Sequence, residues 1–252
     1  MLGINKGKFQ WQWAVFGKHP LAADYFHAGE GNLVQEALAA WMDQGFAALP
    51  KAPESRQAIC FWRLWMQGGK RGHLLCGLLK ASSDRIGRPY PLLIIGGGSL
   101  NGWEKYWVYL PALLENLWQQ IEYVASKRVE RLEDLADAIQ KTHPPGVERL
   151  KTIDMQKIEA QHAASGNAAE IPAGDIKTLV NQINARRMVM VPLDNLSNGH
   201  SESLPVLWSL RLKTHGMDLP KAVFIGGAPG RQYFVAFPRS LNAMDFVNLW
   251  TV

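Results

Sequence analysis

Two groups of apolar runs, each punctuated like hairpins, flank a helical block, and this order restricts the fold of the 252-residue chain more than any other feature. In the first group Phe9, Trp11, Trp13 and Val15 alternate with Gln10 and Gln12, the period of two of a half-buried strand. The runs Ala58 to Met66 and His73 to Leu79 are separated by Gln67-Gly68-Gly69-Lys70-Arg71-Gly72 and predict a hairpin. Pro91 to Ile95 predicts a short buried strand. The second group comprises Met188 to Leu193, Pro205 to Leu212, Ala222 to Gly226 and Tyr233 to Phe237, all read as strands. Strands that follow strands pair antiparallel, whereas alternating strands and helices would give a parallel sheet. The expected fold is α+β: a largely antiparallel sheet with helices packed on its faces. One domain spanning 1–252 is expected, because neither strand group alone has enough partners to cover its faces.

Helices are expected where apolar residues recur at three and four. Leu33, Val34, Ala37, Leu38, Trp41 and Met42 do so behind Asn32, a capping residue with Gln35 three positions on. Trp103 to Val124 reads as helical, with Pro111 opening a fresh helix because proline is tolerated only in a first turn. Leu132, Leu135, Ala136 and Ile139 mark the next helix, stopped by His143-Pro144-Pro145-Gly146. His162 to Gly174, rich in Ala, Gly and Ser, reads as a loop, with Asp175 capping a helix through Ile176, Leu179, Val180 and Ile183. A short helix from Leu241 to Trp250 closes the chain.

Composition excludes several function classes. With 47% hydrophobic and 19% charged residues the chain can bury a large core. Its net charge of +5 comes from basic residues scattered in twos rather than set in a stripe, so no nucleic-acid partner is expected. Cys60 and Cys76 match no zinc or redox spacing and sit in apolar runs, so buried free thiols and a reducing compartment are expected. The first twelve residues lack an apolar signal core, and no run is long enough to span a membrane. A cytoplasmic location without membrane insertion follows as the expectation.

Chemical motifs are scarce. Ile95-Gly96-Gly97-Gly98-Ser99 and Ile225-Gly226-Gly227-Ala228-Pro229-Gly230-Arg231 fit neither phosphate-loop nor dinucleotide spacing, and both read as turns. Gly97-Gly98-Ser99-Leu100-Asn101 falls one residue short of a nucleophile elbow, with Asn101 in the last glycine's place. A serine hydrolase using Ser99 with His143, His200 or His215 therefore stands as an alternative, as does a nucleotide or small-molecule module using the glycine runs. His19, Asp24 and His27 share one segment but match no metal spacing, and no cofactor is expected. Trp11, Trp13, Trp41 and Trp118 fall on core-facing positions.

Two polar stretches interrupt the apolar pattern. One is Phe16-Gly17-Lys18-His19-Pro20 followed by Ala23-Asp24-Tyr25-Phe26, and the other is Ser82-Ser83-Asp84-Arg85-Ile86-Gly87-Arg88-Pro89-Tyr90-Pro91-Leu92. Each leaves a strand, crosses a loop and sets opposite charges close together. Asp24, Asp84 and Arg85 read as braces, since aspartate holds turns through backbone N–H groups and arginine bridges loops as a fork. Lys18 and Arg88 read instead as recognition charges on loops held by a scaffold.

The two stretches resemble the type VI secretion-associated TagF/ImpM family. Its first signature is an aromatic–Gly–Lys–x–Pro turn followed by Gly-Asp-Phe, and its second is Ser-x-Asp-Arg-x-Gly-Arg-x-Phe-Pro-Leu. Trp62-Arg63-Leu64 matches part of a Trp-Arg-aromatic strand that the family carries between them, and Leu207-Trp208-Ser209 is similar to a Ser-x-Trp strand near its end. The specific resemblance lies within residues 13–95. Ala23 departs from the family's glycine, Pro89-Tyr90 from its aromatic pair, and His27 from an arginine common after the first turn.

The resemblance implies a non-enzymatic, cytoplasmic accessory of a type VI secretion system. Some relatives repress assembly post-translationally by engaging a forkhead-associated scaffold protein or cytoplasmic parts of the membrane complex. The residues it singles out, as partner contacts or as structural motif positions, are Gly17, Lys18, Pro20, Asp24, Ser82, Asp84, Arg85, Gly87, Arg88 and Pro91.

Overall fold

The computed structural model describes residues 11–51, 59–127, 129–146, 173–185, 187–193 and 204–252. Its strands are β1 (Gln12–Gly17), β2 (Phe26–Ala28), β3 (Phe61–Gln67), β4 (His73–Ser83), β5 (Pro89–Ser99), β6 (Val189–Pro192), β7 (Ala222–Ala228) and β8 (Arg231–Phe237). They form one eight-stranded sheet in the order β2-β1-β5-β4-β3-β7-β8-β6, and every pairing is antiparallel. The helices are α1 (Leu33–Ala48), a 3-10 turn at Trp103–Tyr109, α2 (Leu110–Ser126), α3 (Leu132–Gln140), α4 (Ala173–Asn184), α5 (Leu204–Thr214) and α6 (Ala243–Trp250).

Strand alternation sends successive residues to opposite faces. On β3, Phe61, Arg63 and Trp65 point one way, and Trp62 and Leu64 the other. The first face carries Trp13, Val15, Trp65, Cys76, Ile94 and Phe234 and is covered by the 3-10 turn with α2 to α5. The second carries Trp62, Leu64, Leu79, Ile95, Phe224 and Phe237 and is covered by α1 and α6. Cys60 and Cys76 are buried free thiols on opposite faces, where burial raises both thiol pKa values.

α1 begins where the sequence places it. Asn32 accepts from the Val34 and Gln35 N–H groups, and Gln35 Oε1 returns the bond to the Asn32 N–H at 2.8 Å. The fully buried Gln35 amide also donates to the Gln12 and Ile95 carbonyls, so the cap pins α1 to β1 and β5. Pro111 lies in the first turn of α2, as its missing donor requires. The segment before it is a 3-10 turn rather than part of a longer helix.

Three expectations are corrected. Pro205 to Leu212 is helix α5, not a strand: Pro205, Trp208, Ser209 and Leu212 are buried at helical spacing, and Ser209 Oγ donates to the Pro205 carbonyl. Val206, Trp208, Leu210 and Leu212 imitate a period of two only because α5 is apolar on most sides. The family-like Leu207-Trp208-Ser209 is likewise helical. Gly96-Gly97-Gly98-Ser99 is not a turn but the end of β5, an eleven-residue strand. A Cβ on Gly96 would stand 2.5 Å from Trp11 Nε1 and 2.6 Å from the Trp13 ring, and one on Gly98 2.9 Å from Trp11, so Gly96 and Gly98 make room for the two indoles. In the second glycine run, Gly226 and Gly227 also lie within a strand, β7. Lastly, α4 starts at Ala173, which puts Asp175 inside its first turn rather than at its cap. Phe9 and His162 to Pro172 lie outside the described residues.

Candidate functional site

β1 and β5 are neighbours, with Gly17 opposite Leu92, so the loops that follow β1 and precede β5 leave the same end of the sheet side by side. Gly17 is required at this corner. Its φ is +117°, and an added Cβ would lie 2.0 Å from the Pro91 carbonyl oxygen. That carbonyl accepts the Lys18 N–H at 3.2 Å. Pro20 sits in a turn closed by the Ala22 N–H to the His19 carbonyl, and Gly87, at φ +82°, closes the other loop by donating to the Asp84 carbonyl. The half-buried Ser82 lies opposite Tyr90 in the β4–β5 register.

Asp84 organises the junction. It is 2% exposed. Oδ1 accepts the Ile86 and Arg88 N–H groups at 3.2 and 2.9 Å, which shapes the loop as an aspartate turn. Oδ2 accepts Lys18 Nζ at 2.9 Å and Arg88 Nε at 2.5 Å. Burial alone would raise this carboxyl's pKa. Hydrogen bonds from Lys18 and from the Arg88 backbone and guanidinium, with the guanidinium's charge, outweigh burial and hold it well below the usual carboxylate range. Asp24 completes the group from the first loop, 3.8 Å from Lys18 Nζ and 3.4 Å from Arg88 Nη2. Arg88 Nη2 also donates to the Ala23 carbonyl, and the Arg85 N–H donates to that of Ala22.

Two expectations exchange places. Lys18, read as an outward recognition charge, is 5% exposed and neutralises Asp84 from beneath. Arg85, read as a brace, bridges the loops only through its backbone and leaves its side chain exposed. Arg88 does both, because it is anchored to two aspartates yet half exposed. Around these charges the loops present Leu21, Tyr25 and Ile86, with Tyr25 63% and Ile86 72% exposed.

Sequence reasoning missed Asp43 beside the loops, and with it the bond that Tyr90 makes. Tyr90 is buried, and its hydroxyl donates to Asp43 on α1. Burial, the Asp43 bond and charge, and Tyr25 all raise the Tyr90 pKa. No local motif marks Asp43, which matters only because α1 crosses the end of β5. The alternatives gain no geometry. Ser99 ends a strand instead of crowning a strand-to-helix turn, and the His215 ring stands 2.8 Å from the Arg211 carbonyl. His143 follows α3, and His200 lies outside the described residues. Among the described residues, no group of three His, Cys, Asp or Glu could hold a metal ion, and no helix is long and apolar enough to cross a membrane.

Comparison with known proteins places this geometry. The family described as the TagF N-terminal domain, type VI secretion system-associated, matches residues 14–143, more than half of the chain. Those limits enclose both loops, β4, β5 and β1 from Ala14 onward. In structure the chain is similar to PA0076 from Pseudomonas aeruginosa PAO1, known from its crystal structure, at 16% identity and a TM-score of 0.53. The match covers 94% of this chain and 93% of that one, and establishes a shared fold. No curated protein matches the chain. The two loops clamped around Asp84 lie within the matched residues, and the chain belongs to the type VI secretion-associated TagF family.

Proposed function

We propose that the protein is a cytoplasmic accessory of a type VI secretion system that represses assembly post-translationally, by binding a protein partner rather than by catalysis. The supporting observation is the joined pair of signature loops. An ion cluster of the buried Lys18 and Asp84 with the half-exposed Arg88 joins them into one platform, and that platform carries exposed Leu21, Tyr25, Arg85 and Ile86. A preformed backbone leaves only side-chain rotamers to be ordered on docking, which is how a small patch gains affinity. The expected partner is the forkhead-associated scaffold of the system or a cytoplasmic part of its membrane complex.

The test is a tagged capture from native cytosol, with bound proteins identified by mass spectrometry. The wild-type chain is expected to recover one of these components. Ile86→Asp with Arg85→Glu is expected to recover about tenfold less while melting normally, since both side chains are exposed. Absence of any secretion component on the wild-type bait, or equal recovery by the double variant, overturns the reading.

A further inference from the structure

A cleft of about 580 Å³ opens between α1 and the first signature loop. Its walls are aromatic. Phe46, Tyr90 and Tyr25 form a series from the core outward, with ring centroids 4.8 and 4.6 Å apart and interplanar angles of 65° and 88°. Phe16 and His27 also line the cleft, stacked at 4.6 Å with 9° between their planes. Asp43 is the carboxylate in the lining. The Tyr90 hydroxyl donates to its Oδ1 and so fixes the group in place. Among the described residues no Lys, Arg or His pairs with Asp43, which leaves Oδ2 open.

An occupant must suit aromatic faces and a negative charge together. An anionic ligand would meet Asp43 as a like charge, and an aliphatic side chain would cover the carboxylate without bonding it. A guanidinium satisfies both: it is planar, stacks on rings, and donates in a fork to a carboxylate. The Tyr25 ring already accepts a cation within the molecule, with Lys18 Nζ 5.0 Å from its centroid. We infer that the cleft receives an arginine side chain of the protein partner, with Asp43 as its charge partner and the exposed Tyr25 ring as its stacking surface. This inference rests on the protein-binding reading given above.

The probe is N-acetyl-arginine methylamide, titrated into the ¹⁵N-labelled full chain and followed by NMR, with the neutral citrulline analogue as control. Saturable shifts are expected around the cleft, with citrulline about tenfold weaker because it keeps the shape and loses the charge. Asp43→Asn and, separately, Tyr25→Ala are each expected to weaken the arginine probe about fivefold or more, with the remaining spectrum unchanged. Both side chains are exposed, so neither variant threatens the core. Absence of saturable shifts overturns the inference, as does equal binding of citrulline or undiminished binding by both variants. The capture experiment separates the two readings. Asp43→Asn recovering the partner at wild-type level, while the loop variant loses it, overturns the arginine cleft and leaves the regulator standing. Asp43-dependent probe binding by a protein that captures no secretion component supports the cleft and removes the regulator.

Discussion

Asp84 takes two backbone and two side-chain donors on its two oxygens while almost fully buried, so its ionised form is built into the fold. Its pKa in the folded chain lies below the ordinary 3.8. Stability from this group is therefore fully present above about pH 3.8 and is lost as pH falls from there through the lower folded value. Asp84→Asn keeps the shape and the Oδ1 acceptor but leaves Lys18 opposite a neutral amide. The variant is expected to have a lower urea midpoint than wild type at pH 7, with the gap narrowing below pH 4 as the carboxyl of the unfolded wild-type chain takes up a proton that the folded one still refuses. Urea titrations at pH 7, 5 and 3 check this, and a gap that stays constant across the series would contradict it. The sequence made both loops legible, because glycine, proline and aspartate announce turns through their own backbone chemistry. Which charge faces inward was not legible. Lys18 and Arg85 are each a basic residue in a polar loop, and only the approach of β1 to β5 brings Lys18 onto the buried Asp84 while the Arg85 side chain stays exposed.

At the scale of elements, the helices reach the sheet through apolar stripes and a few polar ties. Arg63 projects from β3 toward α2, where Nη1 donates to Glu115 at 2.8 Å and Nε to Glu122, and its guanidinium lies 5.7 Å from the Trp118 ring centroid. Glu115, Trp118 and Glu122 fall at helical spacing on one side of α2, so a single arginine spans two turns. On the other face the Trp62 indole donates to the Leu249 carbonyl and that of Trp41 to the Asn242 carbonyl, which fastens α6. The Arg63 side chain is 24% exposed, so its ties rank between surface and buried ion pairs. Arg63→Met keeps the stem but strands two carboxylates near each other, at an expected cost of about 1–3 kcal/mol. Adding Glu122→Gln is expected to restore part of that loss. Urea midpoints of the single and double variants measure it, and a loss within about 0.5 kcal/mol for Arg63→Met would show that the ties contribute nothing beyond surface charge. The Trp-Arg-Leu strand was legible by itself, but its partners on α2 were not, because they depend on the phase at which that helix crosses β3. α5 was misread for the opposite reason, since an element that is apolar on most sides carries no single period to read.

Across the whole molecule, the family match ends at residue 143 but the hydrogen bonding does not. β3 pairs on one side with β4 and on the other with β7, so strands from the last third of the chain complete a sheet begun in the first. The second face shows the same dependence. Trp41, Trp62 and Leu64 pack with Phe224, Phe237, Phe246 and Trp250, all beyond the matched segment. A fragment of residues 11–146 would expose the full length of β3 as an open edge and uncover the tryptophans that α6 now seals. Long apolar edges left unpaired associate with other chains. Removing several large side chains from one cluster costs far more than the 5–15 kcal/mol that usually holds a domain together. The fragment is therefore expected to lack a fixed tertiary structure, with poor amide dispersion in NMR and a high tendency to aggregate, whereas the full chain unfolds in one cooperative transition. A well-dispersed spectrum from a monomeric 11–146 fragment would contradict this and would make the first strand group a folding unit of its own. The signature loops lie at the β1–β5 end of the sheet, far in strand order from β7 and β8. Their geometry is nevertheless expected to depend on the whole sheet, because the last third of the chain supplies the strand that pairs with the outer side of β3.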